Sequence, residues 1–335
     1  MLSSLPKLLD RTFIIGFFLP ALLTTMMVAW TFPSLEILAP LRNLSASDKN
    51  LSDLTYIILI VSALAIVLLT TNNLQYRFLE GYLPPISWCT PLLRWQQGRF
   101  SRLTSEHDRL QQTKKDNGNT LPPKDWITLG KLKRKLLAQF PLSVETVLPT
   151  RFGNTVRAFE SYPFRVYGAD AVPIWPRLTS VISKEFAAQL DDARTRVDFL
   201  VNLTCLGGLV SLAALCRALL GIDWTCDLVS AFRDLPGTRE VHASLVGVAV
   251  AILAYRWAII QAAAWGDLVK SAFDCYLPAL IKQLGYSIPA LWSDRVKFWD
   301  DFNHLIVYQQ PMATQWPVPP AAATHSEGDS RSGAT

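Results

Sequence analysis

Four nearly uncharged stretches limit this chain more than any motif in it. Thr12–Leu35 runs 24 residues without a charge, Leu54–Tyr76 runs 23, and Phe199–Cys216 runs 18 before Arg217 ends it. The fourth, Val241–Gly266, is 26 residues long and holds a single cation, Arg256. At 1.5 Å of rise per residue, a helix needs roughly 20 apolar residues to cross a hydrocarbon core. Membrane spans are therefore predicted at about 12–35, 54–76, 197–217 and 241–263. Composition agrees, since half of the 335 residues are hydrophobic and only 18% are charged, against about 25% in an average soluble domain. The first run is longer than the roughly 7–15 residues of a cleavable signal core, and no clear A-x-A site closes it. It is expected to stay as an anchor.

Orientation follows from lysine and arginine. Loop 36–53 has two, Arg42 and Lys49, and loop 217–240 has three; the central segment 77–198 has nineteen, and five follow the fourth span. Cationic residues are retained on the cytoplasmic side, so the central segment and both termini are expected inside. Lys7 and Arg11 agree with that placement.

The expected fold is an all-α membrane protein, two transmembrane helical hairpins with a helical cytoplasmic domain inserted between them. The first hairpin covers 1–83, the inserted domain 84–183, and the second hairpin, with cytoplasmic helix extensions, 184–285. A cytoplasmic helix over 286–310 and a disordered tail over 311–335 complete the plan. Within the domain, residues 99–115 are polar with wide Leu spacing, and KKDNGNTLPP is a loop by composition. Residues 124–140 place Trp126, Leu129, Leu132, Leu136 and Phe140 on one helical face. Thr150 fits the N-cap of a helix over 151–161. Both "EGYLPP" (80–85) and "DCYLPA" (274–279) follow a span, and in each the proline is expected to stop the outgoing helix.

The stretch "YPFRVYGADAVPIWPRL" (162–178) interrupts this helical pattern with three prolines, a glycine and four aromatics. Pro163, Pro173 and Pro176 forbid continuous helix, and Gly168 can supply a positive-φ turn. One reading is a structural crossover, with Tyr162, Phe164, Tyr167, Ile174 and Trp175 as an apolar plug, Trp175 in its core, and Arg177 and Asp170 as ties. The other is a ligand or partner pocket made from Arg151, Arg157, Arg165 and Arg177, since the guanidinium fork suits carboxylate or phosphate.

The strings "LPTRFGNTVRAFESYPFRVYGADAVPIWPRL" (148–178), "DDARTRVDFLVNL" (191–203) and "YRWAIIQAAAWGDLVKSAFDCYLPALIKQLG" (255–285) carry a resemblance. They resemble a family of uncharacterised bacterial multi-pass (four-span) membrane proteins with an LPTR-x-GN…YP…YG-x-DAV…WPRL string. In that pattern an arginine directly precedes the Tyr-Gly pair; here Val166 does, with Arg165 one place earlier. The resemblance implies membrane topology and a bacterial source, and no reaction.

Other candidate features have weaker signals. Arg256 is an intramembrane charge, placed about 24 Å from Glu240 at 1.5 Å per residue, from where its stem can snorkel or line a path. Lys131, Lys133, Arg134 and Lys135 on an amphipathic segment are candidate anionic-lipid contacts, and nucleic acid is not an expected partner. Gly207 and Gly208 mark a place where helices can approach closely. Cys216 and Cys226 either pair or stay as free thiols, and the spacing of cysteines and histidines suggests no metal site. No hydrolase, nucleotide-binding or metalloprotease motif is present, so no catalytic residue and no cofactor is implied.

The expected function is a non-enzymatic membrane component that couples a cytoplasmic protein or ligand to its hairpins. An oligomeric ion channel of bestrophin-like layout, formed by several copies of the chain, is the alternative; a membrane enzyme ranks third.

Overall fold

The computed structural model describes residues 10–33, 35–43, 51–220, 238–287, 289–312, Thr314 and Trp316. Every regular element among the described residues is helical, with no strand. Four helices are long and apolar enough to cross a membrane: α1 (Arg11–Thr31), α2 (Leu51–Glu80), α8 (Lys184–Leu220) and α9 (Thr238–Gln283). Between α2 and α8 lie α3 (Thr90–Asp116), α4 (Pro123–Gln139), α5 (Arg151–Glu160), α6 (Tyr162–Tyr167) and α7 (Ala171–Leu178). The last helix among the described residues is α10 (Trp292–Tyr308).

The chain divides into two compact units, Met1–Tyr162 with Ser183–Ser271, and Pro163–Ile182 with Ala272–Thr335. Residues 84–162 of the expected 84–183 domain fall in the first unit, and 163–182 fall in the second.

In the first unit α1, α2 and α8 share a core of Phe13, Phe17, Ile57, Val61, Leu68 and Leu206 with small alanines between them. Residues Ile14–Phe18 of α1 form a π turn. Pro20 has no N–H to return to the carbonyl four residues earlier, that of Gly16. Asn202 of α8 donates its Nδ2 to that carbonyl at 2.8 Å. Asp198, one turn away and buried, accepts from Asn72 Nδ2 at 3.1 Å and from the Tyr76 hydroxyl at 2.8 Å. Farther along α8, a Cβ on Gly247 would stand 2.8 Å from the Gly207 carbonyl, so α8 and α9 touch through bare backbone there. Ser211 donates to the Ser244 carbonyl beside it at 2.9 Å. Gly208, expected to share this role, has nothing near it. Arg217 reaches Glu240 at 3.6 Å and lies over Phe32, tying the ends of α8, α9 and α1.

α5 docks against the end of α2. Thr150 caps it as the sequence predicts: its Oγ1 accepts from Gly153 N at 2.9 Å and donates to the Glu80 carbonyl at 3.0 Å. A Cβ on Gly153 would run into that same carbonyl. Asn154, fully buried, closes a two-way bond with the Leu148 backbone. α3 and α4 pair over Leu110, Leu121, Leu129 and Leu132, while Trp126, expected on that face, is exposed beneath Lys114. α3 also takes KKD from the expected loop, turning only at Gly118 and Asn119 with φ of 61° and 67°.

Pro278 does not stop its helix; α9 continues to Gln283. A proline already holds a helical φ and removes one hydrogen bond, and at this helix end it is a left-handed residue that makes the stop. Gly285 supplies it with φ 83°, and Tyr286 N then bonds back to the Ile281 carbonyl. Gly81 and Tyr82 end α2 in the same way, with φ 93° and a bond to the Arg77 carbonyl. The echo between the two helix ends is thus Gly-Tyr, not Tyr-Leu-Pro.

The 162–178 stretch, which from Pro163 onward belongs to the second unit, is mostly helical, as α6 and α7 broken at Gly168 with φ 78°. That glycine lies against Val296 of α10. Ala169, Ile174 and Leu178 are its fully buried residues; Trp175, expected in the core, is half-buried against Phe273, and Phe164 is 53% exposed. On a short helix Ile174 faces inward, and Trp175, one position on, is turned about 100° from it. α10 builds an aromatic cluster around Phe298 with Trp299, Phe302 and Tyr286. Trp316, inside the expected disordered tail, packs on Phe298 and donates to Asp301 at 3.1 Å. The rest of the tail beyond Met312, Thr314 apart, lies outside the described residues, as do Lys7, Lys49 and Cys226 with its proposed pairing.

Candidate functional site

Arg151 and Arg256, flagged separately in the sequence, line one pocket. It lies in the first unit, measures about 320 Å³, and is walled by Gln96 and Arg99 of α3, Gln139 of α4, Arg151 and Thr155 of α5, and Arg256, Ile259 and Ile260 of α9. Three guanidinium groups therefore come from three different helices. No carboxylate is among the lining residues. Among the described residues, none of the three arginines has an acid within 4 Å.

Local geometry explains how the cations are held without acids. On α3, Trp95 and Arg99 stand four apart and Gln96 and Arg99 three apart, so both reach the arginine along one helical face. Gln96 is 1% exposed and accepts from Arg99 Nη1 at 2.9 Å. The Arg99 guanidinium lies 5.2 Å from the Trp95 ring centre and 5.4 Å from that of Phe140. Arg151 also lies 5.2 Å from Trp95, so one indole carries two cations. Burial, and then the charge of Arg151, pull the pKa of Arg99 down. Guanidinium stays charged in proteins nonetheless, so the pocket concentrates positive potential. Arg151 opens α5 directly after its Thr150 cap, which adds the positive end of the helix dipole. Chemically this is an acceptor for an anion with several oxygens, phosphate above all.

The other sequence candidates do not join it. Arg157 is six residues from Arg151, on another side of α5, and its Nε donates to the Tyr82 hydroxyl at 2.8 Å. Burial raises the pKa of that hydroxyl, against the lowering effect of Arg157. Arg165 and Arg177 belong to the second unit. There Arg177 donates to the Pro173 carbonyl at 3.0 Å, and burial lowers the pKa of Arg165. Asp170 caps α7 by accepting from Val172 N, and the Tyr167 hydroxyl donates to Asp274 at 2.6 Å. Trp175 serves packing. Lys131, Lys133, Arg134 and Lys135 are all exposed along α4. Of the four arginines expected to share a pocket, Arg151 lines this one, together with Arg99 and Arg256.

Arg99, Gln96 and Trp95 were missed because the polar helix was expected to begin at residue 99. Its real start is Thr90, and the signal in "RWQQGR" is an aromatic four residues before an arginine on one helix. No protein-family model, curated protein or solved structure matches this chain.

Proposed function

We propose that the chain is a multi-pass protein of a bacterial inner membrane that binds an anionic group in its arginine pocket and couples occupancy to the apolar helices. In this reading two transmembrane hairpins flank cytoplasmic helices, both termini are cytoplasmic, and the protein performs no reaction of its own. Four apolar helices, the lysine and arginine bias, and the contacts between α8 and α9 support that layout. So does the resemblance to four-span bacterial membrane proteins.

The observation that carries the function is the convergence of Arg99, Arg151 and Arg256 with no acid among the lining residues. Like charges held together disfavour the empty state, and an anion relieves them. Coupling has a material route. Arg256 belongs to α9 itself, and Phe152, next to Arg151, sets its ring 5.8 Å from Tyr76, which donates to Asp198 of α8.

Thermal melting in uncharged detergent tests this, with sodium phosphate exchanged for sodium chloride at constant ionic strength. For a dissociation constant near 1 mM, 10 mM phosphate should stabilise the protein by about 1.4 kcal/mol. The double variant Arg99→Gln/Arg151→Gln should not respond. Equal responses of the wild type and the variant would overturn the reading.

A further inference from the structure

The arginine pocket has an apolar annex. A second cavity of about 510 Å³ shares Gln96, Arg151, Arg256 and Ile259 with it. Trp95 also lines this cavity, and its remaining wall is largely apolar, including Leu79, Ile86, Leu92 and Ile252. One side of the shared wall is therefore charged, and the other is hydrocarbon. A free inorganic anion uses only the first half. A ligand that uses both has an anionic head and an apolar chain joined within a few ångströms.

We infer that the pocket binds the phosphate of a single anionic phospholipid, with an acyl chain lying in the annex. The inference rests on the anion-binding reading and narrows it to one ligand class. Three features argue for lipid over a soluble amphiphile. Ile252, which lines the annex, is 51% exposed, so the annex opens onto the apolar flank of α9. A chain can pass sideways from a bilayer into the annex without crossing water. Arg256 lies sixteen residues from Glu240, about 24 Å along the helix, near the inner edge of a ~30 Å hydrocarbon core. From there the arginine stem can reach outward to the headgroup level, where lipid phosphates lie. Finally, Trp95 and Tyr255 line the annex beside the arginines, and such amphipathic rings favour the headgroup level of a bilayer. The exposed cations Lys131, Lys133, Arg134 and Lys135 are not needed for this site.

The test is native mass spectrometry of the full chain in uncharged detergent, titrated separately with phosphatidylglycerol, phosphatidylcholine and glycerol 3-phosphate. Expected is one phosphatidylglycerol per chain, bound at least tenfold more tightly than either other probe. Arg99→Gln/Arg151→Gln should remove that preference. Ile252→Trp, which narrows the annex, should weaken phosphatidylglycerol at least fivefold and leave glycerol 3-phosphate unchanged. Glycerol 3-phosphate binding as tightly as phosphatidylglycerol would overturn the lipid inference and leave the anion reading standing. Phosphatidylcholine binding equally well would overturn it too, by removing the role of charge. Binding of none of the three would overturn both. The wild-type comparison decides the matter even if a variant fails to fold.

Discussion

Asp198 is 6% exposed between apolar helices, and its two polar neighbours, Asn72 and Tyr76, both turn donors towards it. Arg99, Arg151 and Arg256 face one pocket with no carboxylate among the lining residues. Both places lie in the same compact unit, and in both a charged side chain has no ion-pair partner among the described residues, although Asp198 is buried while Arg151 and Arg256 are exposed. At Asp198 the fold supplies the compensation itself. Among the described residues the acid forms no ion pair, and fixed donors on α2 replace its hydration. At the arginines the fold supplies one glutamine carbonyl and two aromatic faces, which hold a cation in place but do not neutralise it. A group held by fixed donors of its own protein has a structural role. A group positioned but left uncompensated is ready for a partner.

The first way to break this contrast is to remove the acid. Asp198→Ala leaves the Tyr76 hydroxyl and the Asn72 amide without an acceptor between packed helices. The loss should be about 3 kcal/mol, read as a lower melting temperature and a smaller folded yield. Asp198→Asn keeps one acceptor oxygen and should lose about half as much. Phosphate binding by the surviving folded protein should be unchanged. If Asp198→Ala melts like the wild type but binds phosphate poorly, the acid belongs with the functional group and the contrast fails.

The complementary change supplies the arginines with an internal anion. Arg151→Glu places a carboxylate beside Arg99 and converts a like-charge contact into an opposite one. It should stabilise the protein by about 1 kcal/mol while weakening phosphate binding at least tenfold. The two readouts must move in opposite directions. A variant that loses both stability and binding would show that Arg151 holds the fold together, and the division between the two places would no longer stand.

Sequence and structure agree on one of these places more than the other, for physical reasons. Run length made the four long helices legible, because hydrocarbon thickness is a strict ruler. Thr150 and Gly168 were legible because a cap and a positive-φ turn are local events. Asp198 was not, since counting uncharged residues made it the edge of the third run. Its partners lie 122 and 126 positions away in sequence. Arg151 and Arg256 were each legible as cations needing an explanation, but their meeting depends on α3, α5 and α9 converging. Arg165 and Arg177 seemed equally eligible beside Arg151 because proximity in sequence was the only proximity available. Pro278 shows the same limit at a helix end, where the conformation of Gly285 decides and the proline does not.

The smallest effect expected is also the most specific to uncompensated charge. Repulsion among three guanidinium groups weakens as salt shortens the screening length, from about 30 Å at 0.01 M to about 3 Å at 1 M. Raising sodium chloride over that range should therefore stabilise the wild type relative to Arg99→Gln, by about 0.5 kcal/mol at most because the pocket is open to solvent. Asp198→Asn, whose site makes no use of mobile ions, should follow the wild type. Sodium sulfate at matched ionic strength separates screening from occupancy, since a tetrahedral dianion fits the arginine forks better than chloride does. Extra stabilisation by sulfate in the wild type, absent in Arg99→Gln, is the expected pattern. Melting curves that shift equally with salt in the wild type and Arg99→Gln would mean that the arginines do not feel one another. The positive potential invoked for the pocket would then be too weak to select an anion.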